Sequence, residues 1–289
     1  MNINLFSDTV VSILDGAYQY SDNLLNCIGV GSYGHVYRGL DLAKGKEVAI
    51  KKLIKSDVKP NEIKVMKSIN SRYLVKFIDV HISDINLYII MELCSIDLEK
   101  HLQLYCERQI LDDFNLRILT DNICQGYLAL YNNQIVHRDI KPQNILITYD
   151  NNKNFESAKI TDFGISRLLN EEKNGMCCNI AGTPEYMAPE IAANILKDSD
   201  YNHQVDMWSI GCLLYRCIAG HVPFDEAYLC KLILYSACSN YDAYDKPEMP
   251  EEMPDQEFIN IVNSLLEFDP IMRTKPEEFH ELALAWAKQ

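Results

Sequence analysis

Eight consecutive residues, His137-Arg138-Asp139-Ile140-Lys141-Pro142-Gln143-Asn144, constrain this chain more than any other stretch. They lie between an apolar pair, Ile135-Val136, and an apolar run, Ile145-Leu146-Ile147. That pattern reads as a tight loop held between two buried segments. The loop carries a carboxylate (Asp139), a cation two residues on (Lys141) and an amide oxygen (Asn144). A base for a hydroxyl proton, a cation beside developing negative charge and an oxygen ligand for a hard metal are what phosphoryl transfer requires. The His-Arg-Asp tripeptide alone is weak evidence. Asp139 and Asn144 with four residues between them, Lys141 among those four, form a strong pattern.

The rest of the chain has room for such a loop. Its 289 residues suffice for one large domain or two lobes with a sizeable core. Apolar residues make up 48% and charged residues 24%, which excludes a disordered chain. The formal net charge of −14 argues against a nucleic-acid-binding surface. No apolar run approaches the roughly 18 residues of a membrane span. Residues 1–15 lack a cationic start followed by an apolar core, so no signal peptide is evident. The ten cysteines form no Cys-x-x-Cys pair and are scattered through apolar segments, as at Cys124, Cys212 and Cys217. Reduced, buried thiols and a cytoplasmic location are expected.

Before the loop, periodicity favours strands. Residues 1–19, with Phe6, Val10, Val11, Ile13 and Leu14, read as a short amphipathic helix on the outside of the fold. Residues 24–28, 35–39 and 47–53 read as strands. Between the first two runs Gly29-Val30-Gly31-Ser32-Tyr33-Gly34, whose glycines let backbone N–H groups approach phosphate oxygens. Such a glycine pattern also occurs in dinucleotide-binding folds, ahead of a helix. Here His35, Val36, Tyr37 and Arg38 continue as a strand, so a hairpin over phosphates fits better. Val48-Ala49-Ile50-Lys51 places a lysine on a buried strand, where it needs a carboxylate or phosphate partner. Glu62, near the start of a helix opened by Pro60, is the preferred partner; a solvated helix face is the alternative. Residues 73–80 and 86–91 read as two more strands, and residues 113–134 as a long helix buried through Phe114, Leu116, Ile118, Leu119, Ile123, Tyr127 and Leu130.

Taken in order, the glycine loop, Val48-Ala49-Ile50-Lys51, Glu62, the 137–144 loop, Asp162-Phe163-Gly164 and Ala188-Pro189-Glu190 match a signature set. Over residues 20–285 the chain resembles a eukaryotic protein kinase, and Lys141 resembles the serine/threonine branch. The resemblance implies an α+β bilobal fold with residues 1–19 as an extension. It places a small lobe of antiparallel sheet plus one helix at 20–94, a mainly helical large lobe at 95–285 and a tail at 286–289. It implies ATP and Mg2+ as cofactors and a protein serine or threonine as substrate. Lys51, paired with Glu62, would hold the α- and β-phosphates. Asp139 would take the hydroxyl proton, with Lys141 beside it, and Asn144 and Asp162 would hold Mg2+. The nucleotide would meet Ile28, Gly29, Val30, Gly31, Ser32, Tyr33, Gly34, His35, Val36, Ala49 and Leu146. Met91 stands at the gatekeeper position, and the backbone of Glu92 and Cys94 would bind adenine. Asp97 would cap the helix at 98–105, reach the ribose, or both. Asp206 would brace the loop backbone, and Arg273 would form a buried pair with Glu190.

Four departures from the family pattern carry expectations of their own. The polar stretch 149–157 is longer than in many kinases. That expansion and the run Ala181-Gly182-Thr183-Pro184-Glu185-Tyr186 are similar to the autophagy-initiating kinases first and the IKK-related kinases second. Where many relatives carry a phosphorylated threonine, this chain has Cys177-Cys178-Asn179-Ile180. Activation without that phosphothreonine is therefore expected, with Glu171 or Glu172 neutralising Arg138 or an activating partner protein ordering the segment. Thr183 is expected to bond Asp139 and Lys141 instead. The short link from Lys51 to Glu62 is expected to hold the helix inward. Gln143 replaces a glutamate common in basophilic kinases, which weakens a preference for basic substrates. The acidic, proline-bearing stretch 239–257 reads as a solvated loop, with docking as the alternative. The chain ends soon after the last expected helix, leaving little room for regulation from a further domain. The alternatives to an active kinase are a pseudokinase scaffold, which would have lost Lys51, Asp139 or Asp162, and a kinase-fold enzyme acting on a small molecule.

Overall fold

An Asp-Gly pair sets the first element of the computed structural model, which describes residues 12–23, 25–31, 34–57, 63, 66–162, 167–168, 183–195, 201–251 and 255–289. Asp15 and Gly16 take φ of 45° and 70°, and Ala17 N donates to Leu14 O at 2.9 Å. Two positive φ values in succession make the turn that matches strand twist. Ser12–Leu14 (β1) therefore folds back on Tyr18–Tyr20 (β2) as an antiparallel hairpin. This corrects the helix expected over residues 1–19 in its described part. Leu14, Tyr18 and Tyr20 are buried at a spacing of two or four, which suits a pleated strand as well as a helix turn. The Asp-Gly turn decides between them.

The chain divides into two compact units, Met1–Asn70 with Val75–Cys94 and Ser71–Leu74 with Ser95–Gln289. The first is a sheet. Cys27–Gly31 (β3), Gly34–Asp41 (β4) and Lys46–Ile54 (β5) are followed by Phe77–Ile82 (β6) and Asn86–Glu92 (β7). The order is β1-β2-β4-β5-β7-β6, with β3 also paired to β4, all antiparallel. The sheet curls far enough for its ends to touch: Tyr18 Oη donates to Asp79 Oδ2 at 3.3 Å, and His81 Nδ1 lies 2.6 Å from Asp15. One face encloses Leu14, Tyr18, Tyr20, Tyr37, Val48, Ile50, Tyr88 and Ile90. The other packs Leu53, Leu87 and Ile89 against Ile63, Met66, Phe77 and Val80. β5 is buried on both faces from Val48 to Lys51, so the expected apolar pattern is a central strand's pattern.

The second unit is mainly helical. Its strands are Ile96–Asp97 (β8), Ile135–Val136 (β9), Ile145–Tyr149 (β10), Phe155–Ile160 (β11) and Arg167–Leu168 (β12). Its helices are Leu98–Tyr105 (α1), Asp113–Asn132 (α2), Pro189–Ala192 (α3), Gln204–Ala219 (α4), Glu226–Ala237 (α5), Gln256–Leu265 (α6) and Pro276–Ala287 (α7). Asp97, Asp112, Asp225 and Asp255 each accept a backbone N–H at the start of α1, α2, α5 and α6. Such caps satisfy donors that the helix itself leaves open, each contributing about 1 kcal/mol. α4 is buried from Val205 to Ile218 and forms the axis of the unit.

Two expectations change here. Residues 73–76 do not extend the strand now bounded as Phe77–Ile82. Ser71–Leu74 belongs to the helical unit, where Tyr73 O accepts from Ile160 N at 3.0 Å and Leu74 bridges Ile160. Phe114, expected in the core of α2, is 69% exposed, whereas Leu116 in the same turn is buried, so Phe114 lies on the outward face of the helix. Among the described residues no helix is long and apolar enough to cross a membrane.

Candidate active site

The 137–144 loop leaves β9, turns through Arg138 and ends in a single helical turn, Pro142–Asn144, that feeds β10. Arg138 has a φ of 69°, a conformation that costs a non-glycine residue of order 1–3 kcal/mol and persists only where its surroundings enforce it. They do so from α4. The Asp206 carboxylate accepts from His137 N through Oδ2 and from Arg138 N through Oδ1, both at 2.7 Å. Asp206 is fully buried, and Tyr127 Oη of α2 donates to its Oδ2 at 2.8 Å. The His137 ring is the second brace. Its Nδ1 accepts from Asp139 N at 3.3 Å, which leaves the proton on Nε2 to donate to Thr161 O at 2.8 Å.

This framework brings four of the polar side chains together. Lys141 Nζ lies 2.8 Å from Asp139 Oδ2 and donates to Thr183 Oγ1 at 2.5 Å. Thr183 Oγ1 donates to Asp139 Oδ1 at 2.7 Å. Asn144 Nδ2 donates to Asp139 O at 2.8 Å and to Asp139 Oδ2 at 2.9 Å. Both carboxylate oxygens are thus oriented, and the base has a cation beside it. The Thr183 bonds are those the sequence led us to expect.

The same bonds settle how an oxygen ligand would be offered. Both amide hydrogens of Asn144 are committed to Asp139, so its Oδ1 is the atom left to ligate a cation. Thr161 N donates to Asn144 O at 2.9 Å, and Thr161 O is held by His137. Asp162 follows directly with a φ of 63°. An amide oxygen and a carboxylate are hard donors that fit a divalent cation sharing its remaining positions with phosphate and water. Among the described residues no cluster of three or more His, Cys, Asp or Glu could hold a metal.

The remaining predicted residues lie in the sheet unit or outside the described residues, except Leu146 and Asp97, which belong to the helical unit. β3 and β4 form the hairpin expected at the glycine loop, with Gly31 paired to Gly34 across its tip. A Cβ on Gly34, whose φ is 154°, would run into the carbonyl of Lys52, so the loop tolerates only glycine there. Ile28, Gly29 and Val30 lie on β3, and His35 and Val36 on β4. Lys51 is 6% exposed and faces Val36 and Ile89 on the flanking strands. Ala49 pairs with Met91, and Glu92 N donates to Lys76 O at 3.0 Å. Cys94 is half-buried and Leu146 pairs with Asp97. Asp97 Oδ1 accepts from Lys100 N at 2.9 Å, so it is a helix cap. Ser32, Tyr33, Pro60, Glu62, Phe163, Gly164, Glu171, Glu172 and the 177–182 run lie outside the described residues.

Two structural pairs complete the second unit. Arg273 meets Glu190 at 2.6 and 3.2 Å with a side chain wholly withdrawn from solvent. Arg138 Nη1 donates to Tyr201 Oη at 3.2 Å. That contact and the hydroxyl of Tyr127 were not visible in the sequence, where both tyrosines carry the pattern of core residues. Burial pushes the Cys124 thiol up to about 12 and raises Cys212 and Cys217 further, which makes them unreactive. A cavity of about 440 Å³, walled by Glu190, Tyr201, Gln204, Tyr241 and Lys275 among others, shares no residue with the predicted site.

A protein kinase domain model matches residues 23–283. The chain is 36% identical over 206 residues to the probable serine/threonine-protein kinase fhkB of Dictyostelium discoideum, covering 68% of this chain and 17% of that protein. It is 29% identical over 268 residues to serine/threonine-protein kinase 33 of Mus musculus, covering 87% and 52%. It is 32% identical over 224 residues to serine/threonine-protein kinase ULK1 of Homo sapiens, covering 73% and 20%. The matched region thus spans about half of the mouse relative and a fifth or less of the other two.

Proposed function

The chain belongs to the serine/threonine protein kinase family, and on that premise we propose that it transfers the γ-phosphoryl group of Mg-ATP to a serine or threonine hydroxyl of a protein. The observation that supports this best is the hydrogen-bonded set of Asp139, Lys141, Asn144 and Thr183. Asp139 takes the proton of the attacking hydroxyl, its carboxylate aimed by Thr183 and Asn144. Lys141 offers its charge to the transferring group. Asn144 Oδ1 and Asp162 hold Mg2+, which when bound neutralises phosphate charge. Lys51 positions the α- and β-phosphates, with Glu62 as its partner. The residues assigned to the nucleotide are Ile28 to Val36, Ala49, Met91 and Cys94 from the sheet unit and Leu146 from the helical unit. Glu92, whose N–H is taken by Lys76 O, contributes its carbonyl to adenine.

The expansion at 149–157 and the similarity to ULK1 and to ATG1c of Arabidopsis thaliana, 29% identical over 262 residues, support a place among autophagy-initiating or stress-signalling kinases in the cytoplasm. The residues at 177–180 support activation by a partner protein rather than by a phosphothreonine. The test is radiolabelled phosphate transfer from Mg-ATP to a generic protein substrate and to small hydroxyl compounds, beside Asp139→Ala. Transfer to protein that falls by about 10²–10⁴ in the variant is expected. Equal transfer by the variant would overturn the assignment of Asp139. Transfer to small molecules alone would overturn the substrate class. Phosphosite mapping of active protein should find no stoichiometric phosphate between residues 165 and 182.

A further inference from the structure

The Asp206 carboxylate is fully buried and holds the amides of His137 and Arg138, the two that lead into the left-handed turn at Arg138. It accepts from those two N–H groups and from the phenol of Tyr127. Tyr127 sits on α2 with 1% exposure, and its single hydrogen has three acceptors in range. These are Asp206 Oδ2 at 2.8 Å, His203 Nδ1 at 3.1 Å and His203 O at 3.3 Å. The shortest and charged acceptor takes it. His203 Nδ1 then keeps its proton and donates to the phenol oxygen, while its Nε2 is buried with no hydrogen-bond partner among the described residues. Burial disfavours the charged imidazole, and burial beside Asp206 holds the Tyr127 hydroxyl protonated. The ring of His203 is pinned edge-on by Tyr127 and Tyr131. Tyr127 is therefore held as a donor to Asp206, supported from behind by His203.

We propose that Tyr127 is a positioning residue for phosphoryl transfer, its hydroxyl fixing the Asp206 carboxylate that in turn sets the backbone of His137 and Arg138 and so the aim of Asp139. The proposal rests on the kinase reading above for its rate consequence, but its structural half does not. Asp206 Oδ2 serves both Tyr127 and His137 N. Without the phenol, the carboxylate is under-solvated and free to rotate toward another donor, loosening the amide clamp that enforces the turn.

The test uses Tyr127→Phe, which removes one oxygen and keeps the ring. A hydrogen bond to a charged acceptor, if used wholly at the transition state, corresponds to about ten-fold or more in rate. We expect kcat to fall about ten-fold, with KM for ATP within two-fold of the original. Amide hydrogen exchange, read by mass spectrometry, should rise in the peptide covering residues 135–140 and stay unchanged in peptides of β5 and β7. Combining the variant with Asp206→Asn should add nothing to the loss caused by Asp206→Asn alone. If that partner variant does not fold, the exchange map of Tyr127→Phe by itself decides. Unchanged exchange at 135–140 with unchanged kcat would overturn the proposal, as would additive losses in the double variant. Raised exchange at 135–140 in a protein that transfers no phosphate would uphold the clamp and overturn the kinase reading instead.

Discussion

Arg273 offers the sharpest stability test in the molecule. Its five N–H hydrogens are all engaged: Nε with Glu267 O at 2.7 Å, Nη1 with Glu190 Oε1 at 2.6 Å and Gln204 O at 2.8 Å, and Nη2 with Glu190 Oε2 at 3.2 Å and Phe268 O at 3.3 Å. The guanidinium also lies 5.1 Å from the ring centre of Trp208. Removing one partner of a buried pair costs about 3–5 kcal/mol because the other charge stays buried. Arg273→Ala does this to Glu190, whose side chain is 13% exposed, and also strips three backbone carbonyls of a donor. A loss of about 4–5 kcal/mol follows. Both tryptophans, Trp208 and Trp286, lie in the helical unit, so their emission follows the unfolding of that unit alone. With a urea slope of about 2–3 kcal/mol per M, the midpoint should drop by about 2 M. Glu190→Gln keeps hydrogen-bond acceptors and loses one charge, so its shift should be about half as large. Arg273→Lys should stay close to Arg273→Ala, because one ammonium cannot reach acceptors on several sides. A midpoint for Arg273→Ala within about 0.5 M of the original, or full recovery in Arg273→Lys, would refute this account.

Thr183→Ala should lower phosphate transfer about ten-fold by releasing Asp139 and Lys141, and Thr183→Ser should restore it, since the bonds run through the hydroxyl alone; equal rates in the two variants would count against that role. Gly126→Ala places a Cβ 2.9 Å from Tyr73 O and 3.2 Å from Ile160 Cδ1. It should destabilise the helical unit by about 1–3 kcal/mol, read by tryptophan emission in urea. The N–H of Glu257 and then the indole of Trp286 hold the Asp255 carboxyl below its usual range. A depressed carboxylate stabilises the fold above its unfolded value near pH 4 and loses that contribution as pH falls through the lower folded value. Asp255→Asn should therefore flatten the acid limb of the Trp286 signal, and an unaltered limb would show that the carboxylate is not responsible.

Much of this protein is local in origin and therefore legible along the chain. A strand buried on both faces has to be apolar, so Val48-Ala49-Ile50 announced the centre of the sheet and placed Lys51 within it. Asp97 announced the cap of its helix, because the unpaired N–H groups lie within three residues of the capping side chain. The spacing of Asp139, Lys141 and Asn144 announced that these side chains meet, since all three share one short loop. The hairpin at the start of the fold was equally local, and the Asp-Gly pair that encodes it outweighs the apolar spacing that resembled a helix.

What the sequence by itself determined, then, is the set of elements, the reactive loop and the family. The resemblance already pointed to Asp206 as the brace of that loop and to the pair of Glu190 with Arg273. Only tertiary structure decided that Tyr127 holds Asp206 and that Tyr201 meets Arg138. Tyr127 and Asp206 are 79 positions apart, and Arg138 and Tyr201 are 63 apart. No periodicity links such pairs. A buried tyrosine follows the same helical pattern whether its hydroxyl is idle or bonded to a carboxylate. The single oxygen that separates Tyr127 from a phenylalanine acquires its role only when folding brings a buried, charged acceptor within 2.8 Å of it.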